Sequence, residues 1–268
     1  MKIDSQELKG LMAAAKHLGI EDFFTTHPQS LFERKKLAVI QRSKKNPDLA
    51  PEKEVSRSFT PILKTEKELL SMSEDLCKNI KTLDDLKNAM VRFDGCDLKK
   101  MATNMVFSDG VPNSKIMLIG EAPGAEEDRL GKPFVGQSGQ LLDKAFSTLG
   151  LSREKNIYIT NTIPYRPPAN RTPTSQEMAL FKPFLMKHIE LISPKALVLV
   201  GATAFKSLLD EKAAITKVHG TWFDLKVQDL IIPTIGIYHP AYLLRSPSQK
   251  RALWQDLIKI HEKTKHLR

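Results

Sequence analysis

An α/β fold is expected, with a parallel sheet covered by helices on both faces. Two observations point to it. Four short apolar runs punctuate the second half of the chain, at residues 116–119, 157–159, 196–200 and 231–238. Stretches of helical periodicity, at residues 140–149, 176–192 and 202–209, fall between them. Continuous apolar runs suit strands buried on both faces, and strand–helix alternation suits parallel pairing, because each crossover needs a helix-length connection.

The first third of the chain reads differently. Leu8, Leu11, Met12, Ala15 and Leu18 recur at helical spacing, which predicts a helix over about 5–18. Residues 41–62 are rich in charge and poor in apolar side chains, the composition of a linker. A further helix is expected over about 83–93. The chain therefore divides into an N-terminal helical or loosely ordered extension, residues 1–65, and a globular domain, residues 66–268.

With 41 Lys and Arg against 31 Asp and Glu, the 268-residue chain carries a formal charge of +10. That excess favours an anionic partner, nucleic acid or an anionic surface. Two cysteines, Cys77 and Cys96, are too few for a disulfide framework and fit a reducing compartment. The polar opening Met-Lys-Ile-Asp-Ser-Gln-Glu has no secretory apolar core, and no long apolar run follows. A cytoplasmic protein without membrane contact is expected.

Parallel sheets bind ligands beyond the carboxyl ends of their strands, and three of the four strand ends carry polar clusters. The first is Gly120-Glu121-Ala122-Pro123-Gly124, followed by Glu126-Glu127-Asp128. Its small residues allow close backbone approach to a ligand, and Glu121 supplies a carboxylate. The second is Asn161, followed by Arg166-Pro167-Pro168-Ala169-Asn170-Arg171; an Asn amide, with donors and an acceptor, suits reading a base edge. The third is His239-Pro240-Ala241-Tyr242-Leu243-Leu244-Arg245, whose His can stabilise developing charge or shuttle a proton. Between the first two lies Pro133-Phe134-Val135-Gly136-Gln137-Ser138-Gly139. Phe134 suits stacking on a flat ligand, and the Gly-Gln-Ser-Gly turn, with Ser138, suits a phosphate at the start of the next helix.

Taken in order, these motifs resemble the uracil-DNA glycosylase superfamily, most closely its family 4, over roughly residues 83–260. The resemblance implies a three-layer α/β/α sandwich with a small, mainly parallel central sheet, and base excision from DNA as the activity. It implies that Glu121 and the Ala122 backbone line the catalytic turn and that Glu127 sits near the base. Phe134 would stack on the flipped uracil, Asn161 would read its edge and His239 would hold its O2 side. Ser138, Arg166, Asn170, Arg171, Leu243, Leu244 and Arg245 would contact DNA, the two leucines as wedges where the base leaves. Uracil-containing DNA is the implied partner, and the protein is expected to act as a monomer.

The sequence also departs from that family. Most family 4 enzymes hold an iron–sulfur cluster on four cysteines. The matching positions here are Phe93, Cys96, Tyr165 and Phe181, with Cys77 outside the pattern. One thiolate cannot hold such a cluster, so no metal and no cofactor are expected, with aromatic side chains filling the volume. Family 1 enzymes carry an Asp where Ala122 stands, which leaves water activation to Glu121 or the backbone. A related subgroup traps uracil-DNA covalently through a His in an inserted basic loop; residues 166–172 hold no His and no insert, so turnover is expected. Two other readings within the fold are a non-catalytic binder of damaged DNA and a glycosylase preferring another deaminated base such as hypoxanthine. A small-molecule nucleotide site is disfavoured, because neither a Walker A motif nor Gly-x-Gly-x-x-Gly follows the first strand.

Overall fold

A computed structural model of the protein describes residues 65–209 and 212–267, together with Gly10, Met12, Ala13, Ala15, Lys16 and Gly19. Of the helix expected over 5–18, the described Gly10, Met12, Ala13, Ala15 and Lys16 are helical, and Ala15 is buried in the main core. The remainder of that stretch and the linker expected over 41–62 lie outside the described residues.

The ordered elements begin with α1 (Glu66–Cys77), α2 (Leu83–Arg92) and α3 (Leu98–Met101), followed by the two-residue strand β1 (Asp109–Gly110). Then come β2 (Ile116–Gly120), α4 (Ala125–Leu130), α5 (Gln137–Ser147), β3 (Ile157–Asn161), α6 (Ser175–Ile192), β4 (Ala196–Val200), α7 (Ala202–Leu208) and α8 (Ile215–Val218). The hairpin β5 (Trp222–Val227) and β6 (Leu230–Ile237), α9 (Pro240–Arg245) and α10 (Lys250–Thr264) complete the fold. Side chains start several of these helices. Thr82 accepts the Asp85 N–H at 3.1 Å, and Thr174 and Glu177 form a reciprocal capping box that satisfies two otherwise orphaned donors.

The strands form one six-stranded sheet in the order β1-β3-β2-β4-β6-β5. The four expected strands are its parallel centre, and β1 and β5 are antiparallel edges. Every residue of β2, β3 and β4 is buried, as their unbroken apolar runs require. Successive side chains go to opposite faces. Ile116 and Leu118 join a cluster with Leu142 and Phe146 of α5 and Trp254, Leu257 and Ile260 of α10. Met117 and Ile119 join Leu185 and Ile189 of α6 and Phe205 and Leu208 of α7. Helix layers on both faces make the three-layer α/β/α sandwich. A third cluster joins α1, α2 and α6 to Ile163 and Tyr165, just beyond β3.

This order positions the site. From β2 the chain moves to β3 on one side, then returns to β4 on the other. The order therefore reverses at β2, and a crevice opens beyond the carboxyl ends of β2 and β4.

Candidate active site

Gly120 closes β2 and pairs in register with Asn161, which closes β3. The absence of a side chain at Gly120 is required. A Cβ there would lie 2.5 Å from the Asn161 Oδ1 and 2.5 Å from the Phe134 ring. Three groups thus converge at one point: the Asn161 amide, the Phe134 ring and the bare backbone of Gly120. Asn161 is only 7% exposed, and its amide makes no side-chain hydrogen bond to another described residue, so its donors and acceptor face the crevice.

Glu121 follows directly. Its Oε2 accepts a hydrogen bond from the Thr203 hydroxyl at 2.6 Å, and its carbonyl accepts from the Thr162 hydroxyl. One carboxylate oxygen is thereby oriented by α7 while the other stays available. Glu127 sits three residues into the α4 turn and serves differently. Its Oε2 accepts the Gly124 N–H at 3.1 Å, and its Oε1 accepts the Val135 and Gly136 N–H groups, each at 2.9 Å. Three backbone donors occupy this carboxylate, so it ties two loops into one wall of the crevice.

His239 follows β6 and caps α9. Its Nδ1 accepts the Ala241 N–H at 3.2 Å. An accepting Nδ1 places the proton of the neutral ring on Nε2, which makes Nε2 a donor. Burial, reinforced by the nearby positive charge of Arg245, pushes the His239 pKa down to about 4, so the ring is neutral at physiological pH. The ring lies 5.8 Å from that of Phe134, tilted by 31°. Gly201, at the end of β4, has φ +97° and admits this close approach, since a Cβ would lie 3.0 Å from that of His239.

Together these residues border a cavity of about 490 Å³, within the range that holds small flat ligands. Of the residues singled out from sequence, Glu121, Ala122, Glu127, Phe134, Ser138, Asn161, Asn170, Arg171, His239 and Arg245 line it. Ser138 does so from within α5: the helix starts at Gln137 rather than at 140, with Gly136 as its cap. Arg171 is held at the rim by two contacts to Glu177, at 2.6 and 2.8 Å. Arg166 stands outside the lining and donates from Nε to the Asn170 Oδ1 at 2.7 Å.

Leu243 corrects the expectation that it faces DNA. It is 0% exposed and packs in the core under the sheet, while Leu244 is 44% exposed. Consecutive residues on a helix point about 100° apart. Once α9 forms, only one of this doublet can face outward. Thr203 and Tyr242 are site residues that sequence reading missed. Thr203 lies two residues past Gly201, at the one strand end whose polar content was not read. Tyr242 sits inside the third motif and lines the cavity.

The four positions that match cluster ligands of the resembled family lie in the third hydrophobic cluster. The Phe93 and Phe181 rings meet edge-on at 5.8 Å, and Tyr165 stands 6.0 Å from Phe181. Phe184 packs 5.3 Å from Phe93. Cys96 is buried beside them, and burial pushes its thiol pKa up, disfavouring the thiolate that a metal needs. Among the described residues, no group of three or more His, Cys, Asp or Glu side chains is arranged to hold a metal ion, and no helix is long and apolar enough to cross a membrane.

Comparison with known proteins identifies the family. The family model described as the uracil DNA glycosylase superfamily matches residues 107–258. A type-4 uracil-DNA glycosylase of Thermotoga maritima is 42% identical over 167 residues, covering 61% of this chain and 85% of that protein. Type-4 uracil-DNA glycosylases of Sulfurisphaera tokodaii and Archaeoglobus fulgidus are 36% and 35% identical, each over 68% of this chain and over 84% and 94% of their own lengths. The matched segment runs from before β1 into α10 and contains every residue that borders the crevice, and the chain belongs to the uracil DNA glycosylase superfamily.

Proposed function

We propose that the crevice hydrolyses the N-glycosidic bond of uracil in DNA, releasing the base and leaving an abasic site, as the first step of base excision repair. The observation that carries this reading is the convergence of a neutral His239 donor, the Asn161 amide and the Phe134 ring around one cavity.

A base stacked in a duplex hides its glycosidic bond, so the nucleotide turns out of the helix into the cavity at a cost of a few kcal/mol. Exposed Leu244 at the end of α9 fills the gap in the stack, and Ser138, Arg166, Asn170, Arg171 and Arg245 at or beside the rim contact the strand. Phe134 stacks on the base. Asn161 pairs with uracil O4 and N3–H, and cytosine mismatches that pair and leaves buried polar groups unsatisfied.

As the bond breaks, negative charge grows on uracil and positive charge on the sugar. The Nε2–H of His239 donates to uracil O2, a contribution of about 3–4 kcal/mol for one preorganised donor. Glu121, held by Thr203, directs its other oxygen to the sugar or to the attacking water. Ala122 contributes backbone only.

No step runs through an iron–sulfur cluster. Phe93, Tyr165 and Phe181 offer no thiolate beside Cys96, and packed rings take up the volume. The enzyme works as a cytoplasmic monomer, with residues 66–268 as the catalytic unit and residues 1–65 as an extension.

The test is excision by the full chain on oligonucleotides carrying uracil, hypoxanthine, thymine or cytosine, in single and double strands. Uracil is expected to be released with turnover and cytosine left intact. Binding without release of any base would make the protein a damaged-DNA binder, and release of hypoxanthine alone would reassign the pocket.

A further inference from the structure

Phe134 has an uncommon backbone. Its φ is +54°, in the left-handed region that bulky residues avoid, and its side chain is only 6% exposed. A residue persists there only where its surroundings over-determine it. The main chain around Phe134 is held from two sides. On one side, the Val135 and Gly136 N–H groups donate to Glu127. On the other, the carbonyls of Pro133 and Phe134 accept from Arg153, at 3.0 Å from Nη1 and 2.8 Å from Nη2.

Arg153 is itself clamped. Its Nη2 donates to both Asp143 oxygens at 2.9 Å, its Nε to Asp143 Oδ1 at 3.2 Å, and its Nη1 to Asp109 Oδ2 at 2.9 Å. The side chain is 12% exposed. All three guanidinium nitrogens thus serve two carboxylates and two carbonyls, a set that only a planar fork can satisfy. Gly139 completes the arrangement. A Cβ there would lie 1.9 Å from the Phe134 carbonyl oxygen, so that oxygen turns toward the guanidinium over bare backbone.

We propose that Arg153 is a positioning residue for base excision: it locks the Phe134 main chain so that the ring stands as a finished stacking platform before DNA arrives. Arg153 lines no part of the cavity and touches no substrate. It acts through two carbonyls, and the strain at Phe134 is met during folding rather than when the base enters. The proposal rests on Phe134 being the stacking platform.

The test is a double-mutant cycle in the full chain, Arg153→Met and Phe134→Ala, alone and together. Single-turnover excision of uracil and thermal melting are read on each protein. Each single variant is expected to slow excision by about 10–10²-fold, the scale of a displaced positioning group. The double variant is expected to be no slower than Phe134→Ala, a coupling in the excision rate that is read separately from the melting shifts. Wild-type excision by Arg153→Met, or the same fold-loss on either background, overturns the proposal. Where Arg153→Met does not fold, Asp143→Asn loosens the clamp from its more exposed side. A smaller loss that vanishes on the Phe134→Ala background supports the proposal, and a loss equal on both backgrounds, or none, overturns it. Wild-type excision by Phe134→Ala would overturn the platform reading itself, an outcome separate from an uncoupled Arg153.

Discussion

His239 shows how burial sets a protonation state. Its folded pKa of about 4 lies below the ordinary value near 6.5, and burial alone drives that of His188 to about 3. Between those limits the unfolded chain binds more protons than the folded one. Stability from these two rings is therefore full above about pH 6.5 and is lost as pH falls through the folded values. Catalysis behaves differently, because His239 in the folded enzyme stays a neutral Nε2 donor down to about pH 5. Acidification from pH 7 to pH 5 is expected to lower the urea midpoint of unfolding while leaving single-turnover excision without an inflection near 6.5. A rate that titrates with a midpoint near 6.5 would mean that His239 is solvated like a free imidazole. The positions of Glu121, Asn161 and His239 at the cavity were legible in the sequence because each is a polar residue within two positions of the end of an apolar run. Thr203 was not, since a hydroxyl two residues into a helix has no distinctive pattern and acts only through its contact with Glu121. The Leu243-Leu244 doublet was legible as apolar but not as oriented, because orientation depends on which face of α9 meets the core.

The strand ends carry the site because β2 and β3 stop in register. Gly120 is the element-scale device: a strand terminus without a side chain, against which the Phe134 ring packs. Gly120→Ala places a methyl group 2.5 Å from both the ring and the Asn161 Oδ1. Excision is expected to fall by about 10²-fold or more, since a displacement near 1 Å at a positioning group costs that much, with the circular dichroism of the folded chain unchanged. Normal excision by a folded Gly120→Ala would separate this junction from the base site. The four central strands could be read from sequence because parallel strands buried on both faces are continuously apolar. The hairpin strand β5 could not. It mixes exposed and buried residues, and pairing with β6 rather than its own pattern makes it a strand. The two-residue β1 and the six-residue α9 are too short to show a period.

At the scale of the whole molecule, an aromatic cluster stands at the positions that the resemblance matches to metal ligands. Phe93, Tyr165, Phe181 and Phe184 join α2 and α6 to the segment leaving β3, which leads to Asn170 and Arg171 at the cavity. Purified protein is therefore expected to be colourless, with iron far below stoichiometry by elemental analysis. A brown preparation holding about four irons per chain would contradict the packing described for these rings. The +10 charge, the parallel sheet and the strand-end clusters are the features on which the proposed reading of the crevice as a base-receiving site rests. The most direct test of that crevice as a catalytic site is single-turnover excision on a uracil-containing duplex by wild type and His239→Ala in parallel, with DNA binding and thermal melting measured on the same samples. If the His239 donor stabilises the departing uracil, the variant binds DNA, melts as a folded protein and excises about 10²–10³-fold more slowly. Excision at the wild-type rate by His239→Ala would contradict that role, whatever its melting temperature.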